Sequence, residues 1–120
     1  MIGTNNMGWS DTRVEDIAQG VEVIVNELVT KMPATKLILL GILPKADRFC
    51  AKVRQVNEVI ARLNNDKNIY FLDMWSAYVH RDGKQNTDLY LDDRLHINWK
   101  GYEVWYKTME PLLKILVPEF

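Results

Sequence analysis

Lys36-Leu37-Ile38-Leu39-Leu40-Gly41-Ile42-Leu43 is one unbroken apolar run of strand length, closed by Pro44. A strand with apolar residues on both faces belongs in a parallel sheet covered by helices on two sides. The flanking sequence agrees. Upstream, Val14, Ile17, Ala18, Val21, Ile24, Val25, Leu28 and Met32 repeat at the three-four spacing of one helix face. Thr12 followed by Glu15 reads as a capping box, with Asp11 as an alternative cap, and Pro33 ends the helix. Downstream, Phe49, Val53, Val56, Ile60 and Leu63 predict a second helix over residues 48–65. A strand over 68–74 follows, then a long polar connection, residues 75–96, with a turn at His80-Arg81-Asp82-Gly83. Asn98 caps a last helix carrying Tyr102, Trp105, Tyr106, Met109, Leu112, Leu113 and Leu116 on one face. Helix and strand alternating in this order give an α/β domain with right-handed crossovers. Only Met1 and Ile2 precede the turn at Gly3, so a first strand is expected to be cut to its last two residues.

The chain has 120 residues, enough for one domain. Fifteen Lys and Arg against sixteen Asp and Glu leave a net charge of −1, which gives no footprint for nucleic acid. The longest apolar run, residues 37–43, is too short to span a bilayer, so no transmembrane segment is expected. Met1 to Asn6 lack the basic region and apolar core of a signal peptide; if Met1 is the start, the expected compartment is the cytoplasm. Cys50 is the single cysteine and can form no intrachain disulfide.

In an open parallel sheet, ligands bind beyond the C-terminal strand ends. Residues 3–10, 44–47 and 75–96 converge there. Asp93-Arg94-Leu95-His96 places a carboxylate three residues before an imidazole, where it can accept from one ring nitrogen and leave the other free as a base. The same spacing also suits a plain solvent-exposed pair. Gly3-Thr4-Asn5-Asn6 offers a tight bend with a side-chain amide able to donate to an oxyanion, or simply an Asn-rich turn.

Taken together and in order, these blocks resemble the C-terminal part of the GDSL/SGNH hydrolases, in the branch similar to the platelet-activating-factor acetylhydrolase catalytic subunits. Gly3-Thr4-Asn5-Asn6 is similar to that family's Gly-X-Asn-Asp block, and Asp93-X-X-His96 to its Asp-X-X-His block. Leu40-Gly41-Ile42-Leu43-Pro44 and the stretch from Asp93 to Tyr102 resemble its strand end and its lead into the last helix. The resemblance implies a flavodoxin-like parallel sheet flanked by helices, present as one incomplete domain over residues 1–120 with the N-terminal strands missing. It implies that His96 is the general base, Asp93 its orienting partner and Asn5 an oxyanion donor. It implies no cofactor, and a small ester of an acylated carbohydrate or lipid as substrate. Asn6 departs from the commoner Asp. No Gly-Asp-Ser block carrying the nucleophile is found in the chain.

Ser10, Ser76 and Cys50 are the remaining nucleophile candidates; Cys50 opens the second helix, where a thiol pKa can fall. His80 reads as a solvated turn residue. Asp92, Asp93 and His96 offer three metal ligands without a second cluster, so no metal is expected. Trp75, Trp99 and Trp105 are expected as core and pocket wall. The leading expectation is an esterase working through an acyl-enzyme in its intact form. The alternatives are a non-catalytic binding module on a degenerate hydrolase fold, or a fragment without a function of its own. With upstream strands missing, the chain is expected to self-associate through an exposed sheet edge.

Overall fold

A computed structural model describes residues 1–8 and 11–119. It contains helix α1 (Val14–Lys31), strand β1 (Leu37–Leu40), helix α2 (Cys50–Ala61), strand β2 (Ile69–Leu72) and helix α3 (Trp99–Leu116). β1 and β2 pair in parallel, with Leu37 opposite Ile69 and Leu40 opposite Leu72. Alternation along the strands sorts their side chains into two cores. Leu37, Leu39, Ile69 and Phe71 pack with Ile17, Val21 and Val25 of α1 and Val53, Val56 and Ile60 of α2. Ile38, Leu40 and Leu72 point the other way, to Tyr78, Tyr90 and the Val104, Trp105 and Met109 face of α3. The sheet is thus covered on both sides, as the apolar run at 36–43 requires.

The strands are shorter than the apolar runs because side chains take over the backbone bonding. Beyond β1, the Ile42 N–H donates to Asn57 Oδ1 at 2.7 Å and Asn57 Nδ2 donates to Ile42 O at 2.9 Å. Asn64 Oδ1 accepts from Phe71 N at 2.8 Å, which blunts the outer edge of β2. The other edge of β1 faces no strand among the described residues.

The first helix begins one residue later than the capping box at Thr12 and Glu15 implies. Arg13 is the N-cap, and Asp16 Oδ2 accepts from the Arg13 N–H at 3.4 Å and from its Nε at 3.2 Å. Asp16 wins because its carboxylate satisfies a free helix N–H and pairs with a guanidinium at once. Met1 and Ile2 form no strand; Gly3, at φ 102°, turns the chain directly into the 3-10 turn Asn5–Gly8. The connection over 75–96 is ordered by 3-10 turns at Ser76–Tyr78 and Thr87–Leu89 and by a bridge pairing Val79 with Gln85. Among the described residues, no helix is long and apolar enough to cross a membrane.

Asn98 caps α3, its Oδ1 accepting from Gly101 N at 3.1 Å while its Nδ2 donates to Asp88 O and Tyr90 O. Tyr78 OH donates to Gly101 O at 2.6 Å. A Cβ at Gly101 would lie 2.4 Å from Leu89 O and 2.7 Å from Ile97 Cβ. Both are backbone or near-backbone atoms that cannot swing away. Gly101→Ala is therefore expected to destabilise the fold by about 1–3 kcal/mol, the usual cost of overpacking, read as a lower urea midpoint. An unchanged midpoint would show that α3 can shift freely against the connection.

Candidate functional site

The loop after β1 is the meeting point of the segments that hold the candidate residues. Its Pro44 carbonyl accepts from Tyr90 OH at 2.9 Å and from Gln85 Nε2 at 3.1 Å. Its Lys45 Nζ donates to Thr4 O at 3.4 Å, and its Asp47 pairs with Arg94 at 3.7 Å. The Asn5 turn and the Asp93–His96 turn are thus both tied to residues 44–47, at the C-terminal end of β1.

Within the second turn, Asp93 Oδ1 accepts from the backbone N–H of Leu95 and of His96, each at 2.9 Å. Asp93 Oδ2 lies 2.5 Å from His96 Nδ1. An ionised carboxylate can only accept, so this contact fixes the proton on Nδ1 and leaves Nε2 as the lone-pair nitrogen. Nε2 makes no hydrogen bond among the described residues, and the His96 side chain is 70% exposed. The hydrogen bond from the His96 ring, followed by the backbone N–H groups of His96 and Leu95, pulls the Asp93 carboxyl down to about 2. A carboxylate held this low stays ionised, and stays an acceptor, throughout the neutral range.

Asn5 opens the turn Asn5–Gly8 and is exposed. Asn6 lies beside it in the same turn. Ser76 donates its hydroxyl to Asp73 Oδ2 at 2.5 Å, and its backbone N–H also binds Asp73. That is a turn-closing bond to a carboxylate, and among the described residues no imidazole is bonded to the hydroxyl to take its proton. Cys50 does open α2, but burial and the nearby Asp47 charge push its thiol up, the reverse of the fall expected there. Its Sγ lies 3.4 Å from Lys45 O, which further ties it to packing. Ser10 lies outside the described residues. His80 sits in a closed turn, its N–H donating to Lys84 O, with Gly83 at φ 80°. Asp92, Asp93 and His96 do not gather as a metal-binding group among the described residues.

The tryptophans divide. Trp75 and Trp105 pack on the two cores, but Trp99 is 71% exposed with the Lys100 ammonium over its ring, so it is neither core nor buried wall. Trp99 is the first residue of α3, where the helix leaves the connection before its apolar stripe meets the sheet. Gln85, the buried polar residue that joins Pro44 to Arg94, was not singled out by its sequence context; a lone Gln after a His-Arg-Asp-Gly-Lys turn carries no periodic or motif signal.

The depressed Asp93 carboxyl gives a direct check. Its folded pKa lies below the ordinary 3.8, so the bond strengthens the fold above pH 3.8 and is lost as pH falls through about 2. Carbon-13 titration of the side-chain carboxyls should place Asp93 near 2, and His96→Ala should move it up toward 3.8. An Asp93 that titrates identically in both proteins would mean that the ring contact is not made in solution.

Comparison with known proteins bears on the family and the fold. The chain is 32% identical to the rat (Rattus norvegicus) platelet-activating factor acetylhydrolase IB subunit alpha2 over 123 aligned residues, covering 98% of the chain and 52% of the relative. It is 34% identical to the Gallus gallus alpha2 subunit over 124 residues, with the same coverage. The chain therefore spans about half the length of these curated relatives. Among solved structures, a protein from Streptococcus pneumonia assigned as a platelet activating factor superposes with a TM-score of 0.80 at 24% identity, over 94% of this chain and 57% of that one. The esterase domain of the zebrafish ZfL2-1 retrotransposon ORF1 protein superposes with a TM-score of 0.70 at 23% identity, over 95% of this chain and 70% of that one. These superpositions identify the fold as that of the SGNH hydrolases. With residues 1–104 matching the family model for GDSL-like lipases and acylhydrolases, the chain belongs to that family.

Proposed function

We propose that these 120 residues supply the acid–base half of an ester hydrolase, and that a serine on a Gly-Asp-Ser segment upstream completes it. The observation that carries this reading is the Asp93–His96 contact at 2.5 Å, with Nε2 left exposed and unbonded among the described residues. In the proposed reaction His96 Nε2 takes the proton of the serine hydroxyl as its oxygen attacks the ester carbonyl. The Asn5 amide N–H donates to the developing oxyanion. The tetrahedral intermediate collapses, the C–O bond to the alcohol breaks, and the alcohol leaves with the proton from His96. Water, deprotonated by the same nitrogen, then releases the acid and restores the serine. Asp93 acts throughout by holding Nδ1–H and stabilising the imidazolium.

The relatives' names as acetylhydrolases support an acetyl or other small acyl ester as the substrate, and an acylated lipid or carbohydrate is the class we propose. The loss of Ser10, Ser76 and Cys50 as nucleophiles would leave such a reaction untouched. The chain alone should hydrolyse an unactivated alkyl acetate, whose leaving group an imidazole does not displace, no faster than its His96→Ala variant, because a base without its nucleophile accelerates little. In the polypeptide that also carries the Gly-Asp-Ser segment, Asn5→Ala should lower kcat by about 10²–10³-fold. His96→Ala should lower it further, by about 10⁴-fold or more. A burst of nitrophenol from p-nitrophenyl acetate with the chain alone, lost in Ser10→Ala, Ser76→Ala or Cys50→Ala, would contradict this division of roles.

The same reading bears on association. The edge of β1 that faces no strand among the described residues is where further sheet would pair in a complete domain. We expect the isolated chain to self-associate at micromolar concentration in sedimentation experiments. A single 14.0 kDa species with a cooperative melt would count against an incomplete domain.

A further inference from the structure

Arg94 stands between Asp93 and His96 at φ 54°, a left-handed conformation that favours glycine over a long side chain. The turn depends on it: Asp93 Oδ1 receives the successive N–H groups of Leu95 and His96 immediately after this residue. Something must hold a non-glycine residue there, and the hydrogen bonds name it. Gln85 is 3% exposed, a polar side chain held in the interior among the described residues. Its Nε2 donates to Arg94 O at 2.9 Å and to Pro44 O at 3.1 Å, and its Oε1 accepts from Arg94 Nε at 3.1 Å. Both ends of Arg94, carbonyl and guanidinium, are gripped by one amide, and the amide is itself anchored to the loop after β1. The Arg94 N–H is meanwhile closed onto Leu91 O at 2.9 Å.

We infer that Gln85 is the positioning residue of the Asp93–His96 pair, holding Arg94 in the left-handed turn that aims the carboxylate at the ring. The inference rests on the acid–base reading of His96 and adds to it a residue that touches neither substrate nor ring. Gln85 acts through backbone geometry, so its loss can be repaired by any change that makes the turn easy. Glycine at position 94 is such a change, since it adopts positive φ without strain.

The test uses the chain itself and needs no turnover. His80 and His96 are its two histidines, and trypsin places them on separate peptides. Diethyl pyrocarbonate at pH 8 acylates the free ring nitrogen, and mass spectrometry gives the His96 rate relative to His80 in the same molecule. A carboxylate on Nδ1–H makes Nε2 the better nucleophile, so Asp93→Asn should lower the ratio by at least about threefold. Gln85→Met should lower it similarly. Arg94→Val, which leaves the buried amide in place but resists positive φ, should do the same and covers the case in which Gln85→Met does not fold. The double variant Gln85→Met/Arg94→Gly should return the ratio to within about twofold of the parent. The inference is overturned if Asp93→Asn lowers the ratio while Gln85→Met and Arg94→Val do not; the pair then stands without its support. It is equally overturned if Arg94→Gly fails to restore what Gln85→Met removes, since Gln85 would then act only on the Pro44 loop. If Asp93→Asn itself changes nothing, the pair is not formed, and the acid–base reading falls with the inference.

Discussion

The Pro44 carbonyl is the atom on which the site depends. β1 ends at Leu40 and Ile42 is bonded to Asn57, so the buried Pro44 carbonyl beyond them must find donors outside the sheet. It finds Tyr90 OH and Gln85 Nε2, both buried, both from the long connection. Those bonds draw residues 85–96 over the end of the sheet. Removing either donor leaves a buried acceptor with less compensation, which typically costs about 1–3 kcal/mol. The same connection then hands the chain to α3 through Asn98, whose amide binds Asp88 O and Tyr90 O while its oxygen caps the helix. Fold and site are therefore one hydrogen-bonded unit at this end of the molecule.

The site on that scaffold is built for polarity outward. The Asp93–His96 pair is exposed, and its strength comes from geometry and from three donors converging on one carboxylate rather than from burial. An exposed pair is screened by solvent and contributes little to stability. Its value lies in fixing a tautomer.

Much of this was legible in the sequence, for identifiable reasons. The three-four spacing from Val14 to Met32 gave α1 to within a residue at its end, and the two apolar runs gave β1 and β2 with their parallel sense. Asp93 and His96 were visible because a three-residue spacing on a turn leaves few geometries. What escaped depended on contacts distant in sequence. Asn57, fifteen positions from Ile42, ends β1 early. Asp16 outcompetes Glu15 at the first cap through the guanidinium of Arg13. Cys50 lies at a helix start, yet burial and Asp47 reverse the expected effect on its thiol. Gln85 matters through partners nine and forty-one positions away, which no local pattern reports. Trp99 looked like core because aromatic residues usually are, but it sits on the first turn of α3 before the buried stripe begins.

In the proposed enzyme the Asn5 turn and the Asp93–His96 turn, both tied to residues 44–47, serve one reacting centre. The decisive measurement is a crystal structure of a longer polypeptide that carries the proposed Gly-Asp-Ser segment, phosphonylated with a p-nitrophenyl phosphonate. Asn5 Nδ2 is expected within hydrogen-bond distance of the phosphoryl oxygen and His96 Nε2 within reach of the serine oxygen, with Asp93 still on Nδ1. An adduct whose phosphoryl oxygen is held without Asn5, or whose serine lies on the face away from His96, would contradict that single reacting centre.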